Sequence, residues 1–231
     1  MIKPLLVLLF ALTFAISPFF TPDFRGYDPS QFPIADRPSI LPAAYAFSIW
    51  LLIYLYLIAH AAYGLWKRAG DPAWDKVRLA LIVTLAIGTA WLAVAVQNPV
   101  WASVLIIAML IGALIAVFQA PPEPDRWLLL APIAILAGWL TAASGVSIGV
   151  LLTGFGWLQD TSAAVVMLVA VLIVAMTVQL RLTRAPEYGL TVIWALVAVI
   201  VANGTANLAV TLLAAIGIAA MAWAAWRVGK G

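Results

Sequence analysis

The chain has 231 residues, 66% of them hydrophobic and 9% charged, with a net charge of +3 and a mean hydropathy of +1.11. So little charge excludes a soluble domain, whose surface must be covered with polar groups. The absence of cysteine excludes disulfides, thiolate metal sites and cysteine nucleophiles.

Apolar runs of about twenty residues without alternation select membrane-spanning helices over barrel strands, because backbone amides in hydrocarbon need partners within their own segment. The first run covers 2–20. It has the outline of a signal peptide, but Pro18 follows the cleavage-like small residues Ala15 and Ser17, so a retained helix is expected. Residues 21–41 form the longest polar stretch and carry Pro22, Pro29, Pro33 and Pro38, which predicts an extended, semi-rigid loop across the bundle mouth. Helix two is expected over 43–66, followed by a charged stretch over 67–78 and a third helix reaching about residue 97. Asn98-Pro99 turns the chain into helix four, which ends near Phe118. Pro121, Pro122 and Pro124 break the chain before helix five, expected over 127–152. Helices six, seven and eight are expected over 161–180, 188–202 and from a Thr205 cap to about Trp226, with Asp160 as the N-cap of helix six. The fold class is therefore all-α, a polytopic transmembrane bundle of about eight spans.

Charge placement supports this count. Eight spans put Lys3, Lys67, Arg68, Lys76, Arg78, Arg126, Arg181, Arg184, Arg227 and Lys230 on one side, and only Arg25 and Arg37 on the other. Cations concentrate on the cytoplasmic side of membrane proteins. Both termini are thus expected in the cytoplasm, with the protein in the inner (cytoplasmic) membrane and the proline-rich loop outside. The net positive charge then reports orientation, and no nucleic-acid partner is expected.

Pro42, Tyr45, Phe47, Trp50 and Tyr54, a proline followed by aromatics at fixed spacing, resemble the second-helix signature of the TspO/MBR family. This is the family of tryptophan-rich sensory proteins and translocator proteins. Trp91, Asn98-Pro99, and Pro132 with Trp139 fall in the same order as in that family. The resemblance covers 1–152, the size of a five-helix core, and leaves 153–231 as three additional transmembrane helices. It departs from the classical pattern at Gly88, where an asparagine is usual, and at Ile133 and Leu136, where aromatics are usual. What it implies is binding of a hydrophobic planar ligand, a tetrapyrrole (porphyrin) or a sterol-like molecule, with Tyr45, Phe47, Trp50, Tyr54, Trp91 and Trp139 as the ligand-binding residues.

Independently of the resemblance, Phe47, Trp50 and Tyr54 recur at i, i+3, i+7 and share one helix face. That spacing suits either a flat-walled pocket or ordinary interhelical packing. His60, the single histidine, lies on another face as a candidate pigment ligand or a packing residue. No carboxylate lies deep in a span, which disfavours ion-coupled transport. No catalytic residue and no metal site are expected. Two functions remain open on these residues: a non-enzymatic receptor or carrier, alone or as a homodimer, and an accessory subunit of a larger photosynthetic or respiratory membrane complex. An uncoupled transporter is a third, weaker reading.

Overall fold

The computed structural model describes residues 2–21, 24 and 26–228. Its eight α-helices are α1 (Ile2–Ile16), α2 (Ile49–Trp66), α3 (Pro72–Ala95), α4 (Pro99–Gln119), α5 (Arg126–Gly154), α6 (Asp160–Arg181), α7 (Pro186–Asn203) and α8 (Leu208–Val228). No strand occurs among the described residues. Tight 3-10 turns extend α1 through Ser17–Phe20 and precede α2 over Ala44–Ser48. All eight segments are long and apolar enough to cross a bilayer.

Four helix starts differ from the sequence expectation. The second part of the charged stretch assigned to a loop, residues 72–78, is instead the first two turns of α3: Asp71 accepts from Ala73 N at 2.8 Å and Pro72 takes the first helical position, where its missing N–H costs nothing. Asp160 is already helical, and its carboxylate accepts from the Ser39 backbone and hydroxyl rather than capping its own helix. At α8 the cap is Asn207, accepting from Val210 N, and not Thr205. Helix two also starts later as a regular helix, because residues 44–48 after Pro42 wind as a 3-10 turn with no side-chain cap.

Polar contacts sort the helix ends onto two faces. On the first, Lys3 pairs with Asp75 at 2.6 Å, Arg68 with Asp125 at 2.7 Å and Arg126 with Glu187 at 2.8 Å. Arg184 donates there to the last carbonyls of α4, Phe118 O and Ala120 O. On the second, Ser39 of the long loop meets Asp160, Asn203 and Asn207. Arg25 and Lys230 lie outside the described residues, as does Pro22. Among the described cations Arg37 lies on the second face and the other nine on the first.

The bundle is organised around α5. This helix of 29 residues is about 44 Å long and is largely buried. It packs on α2 and α4 on one side and on α6 and α7 on the other, while α1 lies against α2 and α3, and α8 closes on α6 and α7. Water contributes no hydrophobic drive between helices inside lipid, so close approach through small residues must hold them. The GxxxG pair of α5 does this inside the bundle: a Cβ at Gly145 would collide with Val171 of α6, and one at Gly149 would come within 2.9 Å of Ile40.

Candidate functional site

The centre of the bundle on its second face holds two stacked spaces. The inner one, about 60 Å³, is walled by Phe47 and Trp50 of the α2 region, Trp91 of α3, Ile106 of α4, Trp139 to Val150 of α5, Leu168 and Val171 of α6, and Val192 to Val199 of α7. The outer one, about 640 Å³, lies under the proline-rich loop. Phe24, Gly26, Tyr27, Leu41 and Val150 line both and form the partition between them.

Of the six residues expected from the sequence, Phe47, Trp50, Trp91 and Trp139 converge on the inner chamber. Trp139 receives the edges of two neighbours: its ring centroid lies 6.0 Å from Trp50 at 84° and 6.2 Å from Phe47 at 81°. Edge-to-face pairs of this kind contribute about 0.5–1.5 kcal/mol beyond burial, so they hold the wall rigid. Tyr54 does not line the chamber; it stacks behind Trp50 at 5.5 Å and takes the edge contact of Phe14 at 5.0 Å. Tyr45 does not line it either. Its 3-10 turn directs the ring outward onto Trp194, 5.4 Å away, and leaves it 41% exposed. His60 lines neither space. Its Nδ1 lies 2.7 Å from Leu128 O, and its ring stacks on Trp74 at 4.8 Å.

The polar atoms of the inner chamber are few. Trp91 Nε1 donates to Ala102 O at 2.9 Å. The Tyr27 hydroxyl reaches from the loop to Ser147 of α5 at 3.0 Å and Ser103 of α4 at 3.4 Å, pinning the partition to two helices. Trp139 Nε1 is buried and meets no acceptor. Among the described residues no charged side chain lines the chamber. The outer space is different, with Asp28, Asp36 and Arg37 on its walls. The Asp28 carboxyl sits below the usual carboxylate range because it accepts from Ser30 N.

Two sets of lining residues were missed by sequence reading. Those of α6 and α7 are aliphatic positions in apolar helices, with nothing to separate them from ordinary packing. Phe24, Tyr27 and Phe32 did carry a signal: aromatics in an otherwise polar, proline-rich loop need somewhere dry to go.

A polytopic helical membrane protein with an aromatic chamber buried beneath a proline-rich loop is the class that this arrangement defines. Within that class the chain belongs to the TSPO-like protein family, whose model matches residues 5–226. The match runs through all eight helices, where the motifs alone had suggested a likeness ending after the fifth. No curated protein and no solved structure matches the chain.

Proposed function

We propose that this protein is a non-enzymatic receptor or carrier for a hydrophobic ligand, planar and tetrapyrrole- or sterol-like in shape. The ligand is held between Phe47, Trp50, Trp91 and Trp139 and admitted past the 21–43 loop. The observation that carries this reading is the convergence of four aromatic side chains, from α2 and the turn before it, from α3 and from α5, on one apolar chamber. Apolar concave sites with a few convergent polar groups are where small molecules bind. Membership of the TSPO-like family supports the same reading.

At about 60 Å³ the closed chamber is too small for a polycyclic ligand, so binding requires the partition to move. Withdrawal of Phe24 and Tyr27 merges it with the outer space. The chamber's mouth then faces the periplasm or cell exterior and both termini face the cytoplasm, an orientation that rests on the cation bias of the first face. Tyr45 and Tyr54 act on the site only through their neighbours, Tyr54 by bracing Trp50. His60 is read as a structural residue joining α2, α3 and α5.

The test is titration of the protein in lipid nanodiscs with protoporphyrin and with a neutral polycycle, read by quenching of tryptophan fluorescence. Saturable binding of at least one is expected, with Trp50→Ala weakening it about tenfold through loss of ring contact. Absence of saturable quenching by either at micromolar concentration overturns the proposal.

A further inference from the structure

Outside the chamber, we infer that a groove between α2 and α7 binds one phospholipid of the first-face leaflet. Glu187 and Arg126 select its headgroup, a phosphate carrying a primary amine, as in phosphatidylethanolamine. The groove, about 390 Å³, has Leu52 of α2 and Leu190 of α7 on its exposed rims and Ile135 of α5 between them. From 129 to 142 every other residue of α5 is buried, so Ile135 is where that stretch of the central helix reaches lipid. The inner end of the groove is closed where α7 packs on the 3-10 turn before α2, with Trp194 Nε1 donating to Ala46 O at 3.1 Å. From Trp194 to Glu187 the helix runs about 10 Å. The groove is therefore an apolar slot for part of an acyl chain, and its far end is polar.

That polar end is an ion pair with incomplete hydrogen bonding. Arg126 Nη2 lies 2.8 Å from Glu187 Oε1 and also donates to Arg184 O at 3.3 Å. Glu187 Oε2 and Arg126 Nη1 are enclosed and have no partner among the described residues. A carboxylate oxygen only accepts and a guanidinium N–H only donates. An occupant that satisfies both must bring a donor cation beside an acceptor anion. A phosphoethanolamine headgroup carries that couple, its ammonium for Glu187 and its phosphate for Arg126. The soft last torsion of Glu187 lets Oε2 turn toward the groove that the residue lines. Trp127 is exposed, with the Arg126 guanidinium 4.6 Å over its ring. Tryptophans of that kind mark headgroup depth, which sets the ion pair at the right level. A choline headgroup has the same charges but no N–H to give Glu187. A glycerol headgroup brings a net negative charge against the same carboxylate.

The experiment follows retention of the first lipid by the full chain in native mass spectrometry. Phosphatidylethanolamine, its mono- and dimethylated forms, phosphatidylcholine and phosphatidylglycerol, all with the same acyl chains, are added in turn. Affinity is expected to fall along the methylation series, with phosphatidylethanolamine bound about tenfold tighter than phosphatidylcholine. Glu187→Gln should bring those two within about twofold of each other while leaving phosphatidylcholine binding unchanged. A second readout uses the unaltered protein in nanodiscs and does not depend on a variant folding. Phosphatidylethanolamine with a diazirine midway along one chain should label Leu52, Ile135 or Leu190, and excess phosphatidylethanolamine should displace the label where phosphatidylcholine does not. Equal affinity for the ethanolamine and choline lipids, phosphatidylglycerol binding as tightly as phosphatidylethanolamine, or a preference that survives Glu187→Gln overturns the inference. So does labelling scattered over the lipid-facing surface.

Discussion

At the scale of single residues, one carboxylate on the first face gathers three side-chain donors. Asp125 receives Arg68 Nε at 2.7 Å, Trp74 Nε1 at 3.0 Å and the Tyr63 hydroxyl at 3.2 Å, so it ties α2 and α3 to the start of α5. Its own backbone is left-handed, at φ +61°, an uncommon conformation that aspartate tolerates better than most residues. The Arg68 guanidinium, and after it Trp74 and Tyr63, hold this carboxyl below the usual carboxylate range. A depressed folded-state pKa means that the stabilisation is complete above the unfolded carboxylate pKa of about 4 and is lost as pH falls through the lower folded value. Asp125→Asn is therefore expected to lower the melting temperature by a few degrees at pH 7 and to flatten its decline below pH 4, as differential scanning fluorimetry across pH would show. An unchanged acid limb would contradict the assignment. Individual residues were only partly legible in the sequence. Helical spacing put Phe47, Trp50 and Tyr54 on one face, but Tyr54 braces Trp50 from behind, and Tyr45, named from the family resemblance alone, is turned outward by the 3-10 turn.

At the scale of elements, the loop over 21–43 is latched at its far end. Ser39 N and Oγ both donate to Asp160 at the start of α6, Asn203 of α7 donates to Ser39 O at 2.8 Å, and Asn207 before α8 donates to Ser39 Oγ at 3.0 Å. Tyr27 fastens the near end to α4 and α5. Asp160→Ala should release the far end and Tyr27→Phe the near end. Hydrogen exchange is expected to rise across 37–43 in the first variant and around 26–32 in the second, with the helices unaffected. Exchange unchanged in both would show that proline stiffness, not these hydrogen bonds, holds the loop. The helices themselves were legible because twenty-residue apolar runs leave the backbone no other solution in lipid. What misled the reading was charge: the Asp71-Pro72 start of α3 is a strong helix signal, but it sits in a basic stretch that looks like a solvated loop. The latch was illegible, since its partners are separated by up to 168 positions and each is an ordinary polar residue alone.

At the scale of the molecule, α5 belongs to both halves of the bundle. Division into a five-helix core and three further helices is a proposal about packing order, and the chamber crosses it: α6 and α7 supply Leu168, Val171, Val192 and Leu196 to a wall otherwise built by α2 to α5. α6 and α7 are accordingly proposed as part of the binding site rather than an appendage, with α8 closing on both of them. A self-contained site of this kind predicts a lone chain or a homodimer in native mass analysis after mild extraction. Recovery only in a larger assembly would favour the accessory-subunit reading. The number of spans and the two charged faces could be read from the sequence because they depend on composition along the chain. The chamber could not, because it depends on which apolar faces meet.

The central claim, that a ligand sits inside the bundle and not on its lipid-facing surface, is tested most directly by photolabelling. Benzophenone, a neutral aromatic ketone, would be irradiated with the protein in nanodiscs and its adducts mapped by peptide mass spectrometry. Saturable adducts on α5 between Trp139 and Val150 and on α7 between Val192 and Val199, suppressed by excess fluorenone, are predicted. Adducts confined to lipid-facing residues such as Leu51, Leu55, Ile173 and Leu212, or labelling that never saturates, would contradict it.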